Sequence, residues 1–143
     1  MQMATRQKWL KAAAVVSIVF GPLTAIAAHP AFQAPTVFLA DLIFWPVDGL
    51  QTGNDPTARL MFAIGGGVFA AWGVCLWFLA TEGMARVPDL ARRIILAGAW
   101  TWFVIDSTGS VLAGAPWKVA GNVALRAMYT LPLANWHRQP ICV

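Results

Sequence analysis

The sequence predicts an all-α fold, a polytopic membrane four-helix bundle with a short interfacial helix between spans 1 and 2. Two observations carry that prediction. Hydrophobic residues make up 59% of the chain and charged residues 11%, whereas a soluble domain carries about 25% charged residues. The apolar residues also gather in four stretches close to the roughly 20 residues that cross a hydrocarbon core of about 30 Å. At 143 residues the four spans account for a single transmembrane domain, residues 1–143, with no room for a soluble one.

The first span, Trp9 to Ala28, has Arg6, Lys8 and Lys11 at its front. A basic front, an apolar middle and the ending Ala25-Ile26-Ala27 also describe a secretory signal peptide, but the apolar stretch is long for one, and a retained span is the better account. Residues 29–56 form the longest polar connection. Inside it, Pro35-Thr36 starts and Pro46 stops the run from Val37 to Trp45. That run is too short to span, so a helix lying on the membrane or dipping into it is expected at 37–45.

Asp55-Pro56, an N-cap followed by proline at the first helical position, opens the second span, about 57–80. Gly66 and Ala70, and Gly67 and Ala71, are each four residues apart, with Gly73 close behind. Small residues at that spacing let helix backbones approach closely in a membrane. The face Gly66, Gly67, Ala70, Ala71 and Gly73 is therefore expected to pack within the bundle or against a second chain. A basic connection, Thr81 to Arg93, leads to the third span, about 94–113. The turn Gly114-Ala115-Pro116 starts the fourth, about 117–134.

Lysine and arginine counts orient the bundle. Arg6, Lys8, Lys11, Arg86, Arg92, Arg93 and Arg138 fall on one side; Arg59 and Lys118 fall on the other, with Asp41, Asp48 and Asp55. The positive-inside rule then places both termini of the multi-pass chain in the cytoplasm. Trp9, Trp77 and Trp136 mark the inner interface and Trp45 and Trp117 the outer one. Trp72, Trp100 and Trp102 are expected between helices.

Arg126 interrupts the fourth span, where an unpaired charge costs roughly 3 kcal/mol on insertion scales. With a rise of about 1.5 Å per residue, Asp106 on the third span lies about 10 Å inside the outer boundary and Arg126 about 13 Å inside it. An Asp106 to Arg126 pair is expected on that ground. Lys118, Asn122, Arg126 and Tyr129, spaced four, four and three, read as one polar stripe, giving a buried cluster of Asp106, Asn122, Arg126 and Tyr129. Such a cluster either fixes helix neighbours or lines a cavity for a proton, an anionic lipid headgroup or a quinone.

Several chemistries are excluded. The two histidines, His29 and His137, fall on opposite sides of the membrane, which rules out facing haem ligands. Cys75 and Cys142 are too far apart to pair, and no metal-ligand spacing occurs. Asp48-Gly49 and Ala58-Arg59 share residue pairs with the alcohol phosphotransferases of phospholipid synthesis, but the interval is too long and two metal-holding aspartates are missing. The carboxylate that small four-helix multidrug exporters carry in their first span is absent. The net charge of +4 is explained by orientation and requires no nucleic-acid partner.

The runs Phe44 to Gly49, Gly65 to Gly73 and Trp102 to Ser110 resemble those of small bacterial inner-membrane proteins with four spans and no established activity. The resemblance covers residues 38–135 and implies no catalytic residue. The expected function is non-enzymatic and without a cofactor: an accessory or assembly component in the lipid bilayer, packing against itself as a homo-oligomer or against a larger membrane complex. The alternative is a small transporter, or a lipid- or quinone-binding protein using the Asp-Arg cluster.

Overall fold

The computed structural model describes residues 2–134, and every regular element among them is helical. Trp136, His137, Arg138 and Cys142, which enter the expectations above, lie outside the described residues. α1 (Met3–Ala25) runs into two 3-10 turns, Ile26–Ala28 and Pro30–Phe32, and then into α2 (Ala34–Phe44). α3 (Pro56–Phe78) continues through a π turn, Leu79–Gly83, into the one-turn α4 (Met84–Arg86). α5 (Pro88–Leu112) and α6 (Lys118–Thr130) complete the fold, with a last 3-10 turn at Leu131–Leu133.

Three helices are long and apolar enough to cross a membrane: Met3–Ala28, Pro56–Arg86 and Pro88–Leu112. Their surfaces suit that environment, since Val68, Ile105 and Leu112 are 66%, 68% and 83% exposed, and large apolar side chains cover the outside generally. The expected fourth span is shorter than the sequence suggested. α6 has 13 residues and its 3-10 extension three, together about 25 Å against a core of about 30 Å. Pro116 precedes it and Pro132 breaks it. The expected basic connection at 81–93 is also tighter than expected. Helix persists to Arg86, and only Val87, which leaves the helical region at φ −139° and ψ 61° before Pro88, breaks it.

Local chemistry accounts for the element ends. The Asp55 carboxylate accepts from the Ala58 amide at 3.0 Å, the N-cap that the sequence announced. Gly114 ends α5 in the left-handed region at φ 79°, a conformation glycine adopts without steric cost. Between α2 and α3, the buried Asp41 carboxylate accepts from the Gly49 amide at 3.1 and 3.2 Å, and Gln33 Nε2 donates to the Gly53 carbonyl at 2.8 Å. The polar connection is thus folded back on α2.

Contacts run antiparallel through the molecule. Gly21 of α1 meets Gly66 and Ala70 of α3, and Ser17 and Ile18 meet Gly73. The Trp72 ring sits against Gly98 of α5, where an added Cβ would come within 2.6 Å of it. Leu10, Ala13 and Ala14, together with Leu76, Ala80, Met84, Ile95, Tyr129 and Leu133, form the buried core. All of these residues lie toward the end of the bundle that holds the start of α1. Toward the opposite end the packing opens into a cleft of about 460 Å³.

Candidate functional site

The polar cluster of the bundle sits where α5 and α6 meet beside this cleft. The turn after Gly114 folds α6 back along α5, which brings Lys118 opposite Asp106. Lys118 Nζ donates to both carboxylate oxygens of Asp106, at 2.6 and 2.7 Å, and to Ser110 Oγ at 3.3 Å. Asn122 Nδ2 donates to Asp106 Oδ2 at 2.7 Å and to Ser107 Oγ at 3.1 Å. Asn122 is buried, while the charged side chains remain about one third exposed, Lys118 at 35% and Asp106 at 30%.

The expected Asp106 to Arg126 pair is not formed. Residues at every fourth position drift about 40° per step around a helix of 3.6 residues per turn, so Arg126 lies about 80° round from Lys118 and on a different flank. The apparent stripe was not one face. Arg126 instead lays its guanidinium over Trp100 and Phe103 of α5, at 4.3 and 4.6 Å from the ring centroids. Among the described residues its buried Nε finds no acceptor, and no carboxylate lies within ion-pair distance of the guanidinium. Trp100, expected between helices, is 49% exposed and forms the floor beneath this arginine.

Tyr129 also parts from the cluster. Its hydroxyl shares a 2.7 Å hydrogen bond with Ser17 of α1, and its ring meets Trp72 edge to face at 6.3 Å. It therefore ties α6 to α1 and α3. Of the expected small-residue face, Gly66, Ala70 and Gly73 take part in the seam with α1, whereas Gly67 and Ala71 are exposed and an added Cβ at Gly67 would meet nothing within 4 Å.

Sequence reasoning missed the true partner of Asp106. In the sequence Lys118 reads as an outer-face charge at the head of the polar stripe, but its flexible stem reaches to the Asp106 carboxylate. It also missed two arginines that close the far end of α6. Arg6 donates to the Pro132 carbonyl at 2.9 Å and Arg92 Nε to the Leu133 carbonyl at 3.3 Å. Cations suit carbonyls that a helix end leaves unsatisfied.

Compared with known protein families, with curated proteins and with solved structures, the chain matches none. Among the described residues no group of three or more His, Cys, Asp or Glu side chains is placed to hold a metal ion. What the cluster can do therefore follows from its hydrogen bonds. Asp106 and Lys118 neutralise one another, and they join α5 to α6 on the wall of the cleft.

Proposed function

We propose that this protein is a non-catalytic, multi-pass component of the bacterial inner membrane, with both termini in the cytoplasm, that assembles with a larger membrane complex through the α5/α6 surface around Arg126. In this reading α6 and its 3-10 extension return the chain as a short fourth crossing, and α1 is retained as a span. The lysine and arginine distribution supports the orientation.

The observation that carries the proposal is the unpaired guanidinium. A charge at this depth costs roughly 3 kcal/mol, and stacking on aromatic rings returns about 0.5–2 kcal/mol. An anion is still needed, and a carboxylate on a membrane helix of a partner supplies it. The alternative of a transporter or binding site built on Asp106 and Arg126 together loses its premise, because the two side chains have different neighbours.

Native mass spectrometry after mild extraction tests this. The wild type is expected to carry a partner whose membrane segment contains Asp or Glu, and Arg126→Leu to lose that partner while keeping its helical content. Arg126→Glu combined with arginine at the partner's carboxylate should restore the assembly. A complex of unchanged mass in Arg126→Leu would refute the proposal.

A further inference from the structure

The cleft carries a second site, independent of Arg126. It lies between α1, α3, α5 and α6, with Leu39 and Ile43 of α2 on its border. Its volume of about 460 Å³ falls within the range of about 300–1,000 Å³ typical of small-molecule sites. Four aromatic residues line it, Phe20, Phe69, Trp102 and Trp117, and one wall carries Asp106, Lys118 and Asn122.

The hydrogen bonds on that wall select the ligand. The three Lys118 protons are directed to Asp106 and Ser110, and both Asn122 amide protons to Asp106 and Ser107. The Asn122 orientation follows, since a flipped amide would set its oxygen against the carboxylate. Acceptors are what remain. Among the described residues, Asn122 Oδ1 accepts no hydrogen bond and Asp106 Oδ1 accepts one, from Lys118. A carboxylate and an amide oxygen on a neutralised wall disfavour phosphate and favour a hydroxyl donor. Aromatic side walls suit a flat ring.

We infer that the cleft binds a neutral, ring-bearing hydroxylated amphiphile of the hydroquinone class, its hydroxyl donating its one proton to Asp106 Oδ1 or Asn122 Oδ1 and its tail leaving toward lipid. No redox step is implied, and the oxidised quinone, which has acceptors only, is the poorer ligand.

Two glycines make the test clean. Gly65 and Gly121 both line the cleft, and a Cβ at either meets nothing within 4 Å, so a larger side chain at either position starts in open space, and Gly65→Leu and Gly121→Leu are expected to take up part of the cleft. The full-length protein in phosphatidylcholine nanodiscs is titrated anaerobically with decyl hydroquinone, decyl quinone, a monoacylglycerol and phosphatidylglycerol, following tryptophan quenching with Trp117→Phe as the assignment control. Saturable hydroquinone binding is expected, about tenfold tighter than quinone, the equivalent of one hydrogen bond. Each leucine variant should weaken it by at least about tenfold at unchanged helical content, as expected when a side chain occupies the ligand's volume. Equal binding of quinone and hydroquinone, equal binding of the ringless monoacylglycerol, displacement by phosphatidylglycerol, or leucine variants that bind like wild type would each overturn the inference. None of these outcomes depends on the partner at Arg126.

Discussion

Two antiparallel seams hold this protein together by opposite means. Between α1 and α3, glycines bring the backbones into direct contact, and an added Cβ at Gly21 would stand 2.6 Å from both the Ala70 nitrogen and the Gly66 carbonyl oxygen. Between α5 and α6, a lysine, an aspartate and an asparagine reach across from side chain to side chain. The first seam is close-packed and intolerant of volume. The second is one third exposed at its charges and opens onto a cleft. Rigidity is concentrated in one seam and accessible polar chemistry in the other.

The largest effect should come from breaking the first seam. At Gly66 an added Cβ would collide with the Gly21 carbonyl oxygen and lie 2.5 Å from the Ala25 nitrogen. Neither atom belongs to a flexible side chain that could move aside. Gly66→Ala is expected to destabilise by about 3 kcal/mol, the upper end of overpacking costs, read by unfolding in mixed micelles. A loss under 1 kcal/mol would mean that the helices separate easily.

The difference between the seams also explains what could be read from sequence. Small residues four apart reveal a close backbone approach, and the Asp55-Pro56 start and the positions of the long helices were legible for the same reason: each is a local pattern. Pairing at α5/α6 was not, because it depends on rotation around two helices. Arg126 has the right depth for Asp106 and the wrong azimuth, whereas Lys118 has a stem long enough to correct its own depth. Nor could sequence separate Gly66 from Gly67, which differ only by about 100° of helical rotation.

The second seam should be weaker and its effects non-additive. Lys118→Met leaves Asp106 charged with Asn122 as its remaining donor. Because both charges are partly exposed, the cost is expected to be about 1–2 kcal/mol rather than the 3–5 of a fully buried pair. Adding Asp106→Leu should recover most of that loss, since two well-packed apolar residues can replace an ion pair. A double variant as damaged as the sum of its singles would show that the two side chains act separately.

Tyr129 links the two seams, so Tyr129→Phe tests whether they are coupled. It removes the hydroxyl bonded to Ser17 and keeps the ring against Trp72. A loss of about 1 kcal/mol is expected, the usual net worth of one hydrogen bond. Ser17 softens the loss because its hydroxyl also donates to the Ala13 carbonyl. If Ser17→Ala and Tyr129→Phe prove additive in a double-mutant cycle, the hydrogen bond does not couple α1 to α6.

The smallest effect sharpens the comparison most. Gly67 is the next residue after Gly66 but projects from the outer side of α3, with nothing within 4 Å of an added Cβ. Gly67→Ala should change stability by no more than about 0.5 kcal/mol, on the favourable side because alanine costs less backbone entropy in a helix. Measured at two protein-to-detergent ratios, that result should not vary. A destabilisation that grows with protein concentration would instead place a second chain on the outward Gly67 and Ala71, and α3 would then carry close-packed seams on both sides.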